Sequence, residues 1–263
     1  MDKKKLLKMA KNPNFISGIY NYCDRWCERC AFTRRCLVFA QEQGYDEESR
    51  DINNKKFWDR MHDSFKLTME LLDDFAKENR IDLNDLDVEE EKERHRARDK
   101  KSRESPIARA AKKYSTMVKN WFDHNDRLFK EKGIELTKDF DLGIEEPEFA
   151  AAEIIDTVEV IRWYQDQIWV KLMRALSGEE RDKEFDEDLE MKEFPKDSDG
   201  SAKAALVGID RSIGAWGRLT EQFTNEADEI TAILVHLTRL RANIEQRFPG
   251  ARLFVRPGFD QEA

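Results

Sequence analysis

The sequence predicts an all-α protein: an antiparallel bundle of four to five long helices carrying an N-terminal cysteine-rich metal-binding loop. Three observations lead there. Long segments repeat apolar side chains at the 3.6-residue helical period. No strand alternation accompanies them, and only 11 Gly and 6 Pro interrupt 263 residues. All four cysteines fall between Cys23 and Cys36. Hydrophobic residues make up 40% of the chain and charged residues 38%, so a real core and well-solvated helix faces are both expected.

The elements follow in order. After the cysteine loop, "AFTRRCLVFAQEQ" (31–43) reads as a short helix closed by Gly44. A long helix is expected from about Ile52 to Asn79, with Phe57/Trp58, Met61, Phe65, Met69, Leu72 and Phe75 as its apolar stripe. Residues 88–104 are charged all round, which suits either an exposed polar helix or a connector. Ser105-Pro106 then supplies an N-cap and a first helical residue, and the helix is expected to reach Gly133. Glu146-Pro147 opens another, bearing Ile154, Val158, Ile161, Ile168, Leu172 and Leu176 and ending near Gly178. Residues 178–200 hold eleven Asp/Glu against four Lys/Arg, the composition of a mobile acidic linker. Two amphipathic helices complete the bundle. One uses Leu206, Ile209, Ile213, Trp216, Leu219 and Phe223; the other uses Ile230, Ile233, Leu237, Leu240, Ile244 and Phe248. The expected division is a cysteine-cluster segment, residues 1–45, packed with a helical body, residues 46–263.

Charge is unevenly placed. The chain carries a formal net charge of -9, yet residues 1–36 hold nine Lys/Arg against three Asp/Glu. An acidic body argues against a nucleic-acid binder. Through long-range steering it would favour a basic redox or protein partner. The basic start lacks the apolar run of a signal peptide, and no apolar stretch is long enough to span a membrane. A cytoplasmic location is therefore expected. Thiols stay reduced there, and clustered cysteines serve as metal ligands more often than as disulfides.

The cysteine spacing is Cys23-x3-Cys27-x2-Cys30-x5-Cys36. Four thiolates satisfy tetrahedral zinc, although zinc sites usually combine two separated pairs of ligands, and here there is one compact span. Four thiolates from one loop can also wrap the corners of a [4Fe–4S] cube. The stretch "CERCAFTRRC" resembles the cluster loop of helix-hairpin-helix DNA glycosylases, which ends in the same Cys-x2-Cys-x5-Cys, and that of the redox-sensing WhiB-type regulators. The likeness covers about fourteen residues and includes Ala31-Phe32 after the third cysteine. It implies a [4Fe–4S] cluster on Cys23, Cys27, Cys30 and Cys36. The Cys23-x3-Cys27 step is shorter than in either family, and no helix-hairpin-helix motif with a following catalytic Asp is present, so glycosylase activity is not implied. Cys-x3-Cys-x2-Cys is also similar to radical-SAM enzymes, but their alternating strands and helices are missing.

Arg25, Arg29, Arg34 and Arg35 would offset the negative charge of a thiolate-bound centre, and Tyr20, Tyr22, Trp26 and Phe32 would shield it from water. The resulting expectation is a redox, electron-transfer or redox-sensing protein with a [4Fe–4S] cluster. Its rival is a helical interaction module pinned by structural zinc. A third reading, an enzyme with an unrecognised pocket in the bundle, has no residues to name. His62, His95, His124 and His236 are scattered, and Asp59-x-x-His62 has no second copy to build a di-iron site. Glu153, Asp156 and Glu159 read as a solvated helix face. Neither a phosphate-cradling glycine loop nor a nucleophile motif is visible.

Overall fold

The structure, a computed structural model, describes residues 3–83, 87–143, 147–185 and 195–260. Helix dominates these residues and no strand occurs among them. Their contacts divide into two units. One comprises the chain up to His95 together with the residues from Arg256 onward; the other runs from Arg96 to Val255. The sequence places a boundary at residue 45. The contacts instead group α3 (Glu47–Arg50) and α4 (Lys55–Asn79) with the cysteine segment.

In the first unit, α1 (Lys3–Ala10) leads into a loop of one-turn 3-10 helices at Ile19–Asn21, Cys27–Arg29 and Thr33–Arg35, followed by α2 (Leu37–Glu42). Asp46 caps α3 by accepting the Ser49 N–H at 2.9 Å, and Asn54 caps α4 by accepting the Lys56 N–H at 3.0 Å. α4 stops at Arg80, whose left-handed φ of 57° turns the chain out of the helix. Ion pairs from Lys3 to Asp74 and from Lys56 to Glu48 tie the helices of this unit together. Its apolar core is slight. Among the described residues only Ile19 and Ala76 are buried hydrophobics here.

α4 forms as its periodicity predicts, but the stripe does not bury. Phe65, Met69 and Phe75 stay more than half exposed. A period of 3.6 states that a helix is amphipathic; it does not state that anything covers the apolar side.

The second unit takes its core from α6 (Pro106–His124), α8 (Pro147–Phe185), α9 (Asp197–Gln222) and α10 (Ala227–Arg247). α9 packs on α8 and α10, and α6 packs on α8 and α10. α7 (Asp126–Asp141) lies against α8. Of the two readings of residues 88–104, the helix is the one that forms: α5 (Val88–Glu104), which the division between the units crosses after His95, is laced by i,i+4 pairs such as Arg94–Glu90. The stripes expected on the last two helices are buried. Leu206, Ile209, Trp216, Leu219, Ile230, Leu237, Leu240 and Ile244 are all nearly inaccessible.

Two expectations need correction. The helix opening at Pro106 does not run to Gly133. It breaks at Asn125, whose φ of -108° and ψ of 14° leave the helical region. α7 then carries Gly133 in its interior. The break turns Phe129 back onto Trp121 and Phe122, at ring distances of 6.0 and 5.7 Å, and this aromatic burial outweighs continued helix. Nor is 178–200 a linker throughout. α8 continues through Gly178 to Phe185, α9 begins at Asp197, and Ser198, Gly200 and Ser201 are buried. Gly178 stands where an added Cβ would lie 3.5 Å from the Ser198 backbone, and Arg174 Nη2 donates to Asp197 Oδ1 at 2.6 Å. Close backbone approach and these paired charges hold the ends helical. The middle of the expected linker, 186–194, lies outside the described residues.

A pH effect follows from α8. Glu180 accepts from Lys101 Nζ at 2.8 Å and from Lys183 Nζ at 2.9 Å. The Lys101 bond, then the Lys183 bond, hold its carboxyl down to about 2, against an ordinary 4.5. A carboxylate depressed in the folded state contributes stability above its unfolded value and loses it as pH falls through the folded one. The urea midpoint of this unit should therefore fall between about pH 4.5 and 2. Glu180→Gln should show less of that fall; an unchanged pH profile in the variant would refute the assignment.

Candidate metal centre

The cysteine loop repeats one local device. The turn Cys27–Arg29 closes with the Cys30 N–H donating to Cys27 O at 3.2 Å, and the turn Thr33–Arg35 closes with the Cys36 N–H donating to Thr33 O at 3.2 Å. Each one-turn helix thus delivers a cysteine at its end in extended backbone, φ -87° for Cys30 and -107° for Cys36. Cys23 follows the Ile19–Asn21 turn, which Gly18 starts at φ 73°, and its thiol donates to Tyr20 O at 3.6 Å. Between Cys23 and Cys27 the chain reverses sharply. Asp24 Oδ1 accepts the Trp26 N–H at 3.2 Å, and Arg25 sits at φ 60°, a region non-glycine residues rarely occupy. The Ile16 N–H donates to Arg35 O at 3.0 Å and pins the loop to the preceding segment.

All four cysteines are free, half-buried, and line the same pocket. Its walls include Ile19, Tyr20, Trp26, Val38 and Phe39. The cavity between them measures about 30 Å³, room for an ion or a water or two. Burial pushes the Cys27 thiol up to about 11, with Glu42 and the other three thiols adding to it. Burial also raises Cys30, opposed by the Phe32 N–H that points at its sulfur from 3.4 Å. As bare thiols these two hold their protons at neutral pH, so a metal must displace protons to bind. Among the described residues no three or more Cys, His, Asp or Glu side chains converge as the ligands of one metal ion do.

The four arginines expected around the centre are all exposed, and of them only Arg25 lines the pocket. Arg29 lies over the Trp26 ring at 4.0 Å. Of the four expected shielding aromatics, Tyr20 and Trp26 line the pocket, while Tyr22 and Phe32 do not. Sequence reasoning missed Phe259. This residue comes from the C-terminal end, lines the pocket, and meets Phe32 edge-on at 5.2 Å. The tail is seated by Gly258, whose added Cβ would lie 2.9 Å from Ile16 Cδ1, and by the Arg256–Asp260 ion pair at 2.9 Å. The apolar residues of "RPGFD" were the available signal, but nothing in a linear pattern ties them to the other end of the chain.

The remaining candidates stay apart. His62, His95 and His124 are exposed, and His236 bonds the Ala110 carbonyl at 2.8 Å. Among the described residues no helix is long and apolar enough to cross a membrane. No family model matches the chain, no curated protein matches its sequence, and no solved structure matches its fold.

Proposed function

We propose that Cys23, Cys27, Cys30 and Cys36 hold a [4Fe–4S] cluster and that the protein serves a redox, electron-transfer or redox-sensing role. The observation that carries this reading is that the four thiols, every one the chain possesses, line one pocket with apolar walls. Their donor chemistry suits the group, and the thinness of the core around them supports a need for it. Two buried apolar residues cannot hold a unit of this size together, and small units of that kind rely on metal or disulfide staples. When bound, the cluster would supply one-electron chemistry. Four protein thiolates leave no open iron for a substrate, which favours electron transfer or sensing over Lewis-acid catalysis. Arg25, which lines the pocket, would stabilise a more negative reduced state and raise the potential. The acidic remainder of the chain would steer a basic partner, and reduced thiols fit a cytoplasmic setting. The mutual packing of α6, α8, α9 and α10 supports an antiparallel four-helix bundle as the body that carries the centre.

Structural zinc is the second reading, and the small cavity volume favours it.

The test is iron, zinc and acid-labile sulfide on protein purified without oxygen, with each cysteine changed to serine in turn. About four iron and four sulfide per chain, lost in the serine variants, is the expected result. One zinc without sulfide would replace the redox role with a pinned interaction module. Protein without either metal would remove both readings.

A further inference from the structure

The segment Arg256–Asp260 is held together from within. The Arg256 N–H donates to Asp260 Oδ2 at 2.9 Å, and Arg256 Nη2 donates to Oδ1 at 2.9 Å. The Phe259 and Asp260 N–H groups return to Arg256 O at 3.1 and 3.2 Å. The Arg256 guanidinium also lies over the Phe259 ring at 5.1 Å. Gly258 allows this tight course with a φ of 78°. What the segment offers to the first unit is apolar contact. Phe259 lines the thiol pocket and packs on Phe32, whose own N–H points at Cys30 Sγ. A Cβ added at Gly258 would lie 3.0 Å from Ile19 Cδ1, so the segment touches one of the two buried apolar residues of the unit. Just upstream, Phe254 is buried and its carbonyl accepts from Lys203 Nζ at 2.5 Å. Val255, between that anchor and the segment, is 52% exposed.

We infer that Arg256–Asp260 is a strap that closes the thiol pocket, with Phe259 as its plug, and that its opening governs how fast reagents and metal reach the four cysteines. The inference rests on the reading that these cysteines form one centre. A metal site needs an entry path. A stiff piece on an exposed joint, seated by a few apolar contacts, supplies one without disturbing the loop that bears the ligands. Local openings of this kind cost far less than unfolding. The loop keeps its own bonds when the strap lifts, because Cys30 and Cys36 are fixed by the carbonyls of Cys27 and Thr33. The strap therefore controls access, and the one-turn helices control ligand position.

The experiment is the rate of N-ethylmaleimide labelling of the full chain purified without oxygen, read at each cysteine by mass spectrometry. Phe259→Ala removes the plug. Gly258→Ala unseats the strap, since its Cβ would lie 2.9 Å from Ile16 Cδ1 at a backbone angle that side chains resist. Each should speed labelling at least ~10-fold, the effect of losing one buried aromatic contact. Phe259→Leu keeps an apolar plug and should label close to the wild-type rate. Amide exchange at Cys30 and Cys36 should stay as slow as in wild type in every variant. Unchanged labelling in both Phe259→Ala and Gly258→Ala overturns the strap. So does loop exchange that quickens as much as labelling, because Phe259 would then only hold the loop folded. Metal content of the same wild-type sample separates the two readings. Metal-free protein with these rate ratios removes the centre and keeps the strap; loaded protein with equal rates keeps the centre and removes the strap.

Discussion

If the four cysteines hold the proposed metal centre, removing the metal, or changing Cys27 to serine, should unfold the segment from about Phe15 to Gln43 and leave residues 96–255 folded. The two units rest on different forces. The second buries nearly all of the chain's inaccessible apolar side chains, from Ala108 to Phe254. The first buries Ile19 and Ala76, and its loop is built from one-turn helices that carry little cooperative stability of their own. Structural metal centres supply about 10–16 kcal/mol of binding energy that appears as folding energy, far more than two buried side chains can. Limited proteolysis and amide exchange with and without chelator would show it. Rapid cleavage confined to the cysteine loop after metal removal is expected. A loop equally protected in both states would mean that the thiols do not hold the fold.

Trp216→Ala should cost the second unit about 3–5 kcal/mol. Trp216 is fully buried and stands at the centre of the aromatic group, 5.1 Å from Trp121 and 6.0 Å from Phe122. Its indole N–H donates to the Tyr114 hydroxyl at 3.2 Å. Truncation opens a cavity among side chains fixed by α6 and α9, and it leaves that buried hydroxyl without its donor. Urea unfolding followed by helical circular dichroism measures the loss. Any metal held by the four cysteines should stay bound, since all four lie in the other unit. A cost below ~1 kcal/mol would show that the group repacks freely.

Most of the helical body was legible because its helices bury one continuous stripe each, as Leu206 to Leu219 and Ile230 to Ile244 do. The boundaries were less legible where tertiary contacts override local signals. Asn125 ends a helix that its own neighbours would continue, and Gly178 fails to end one because it faces the Ser198 backbone. The four cysteines were legible as a group, since their spacing in one loop already limits them to a common neighbourhood. Phe259 was not, because only the folded tail brings it to the pocket. The exposure of Trp58, Phe65 and Met69 was also illegible: the same periodicity describes a covered helix and an uncovered one.

The tight seam between α8 and α9 has a consequence for how this chain can vary. A Cβ added at Gly208 would lie 2.9 Å from Tyr164 Cδ1 and 3.2 Å from Ile168 Cγ1. Growth on α9 is therefore admissible only alongside shrinkage on α8. Any drift at this seam must be reciprocal, with Gly208 tied to the two positions opposite it, so the three should change as a set or not at all.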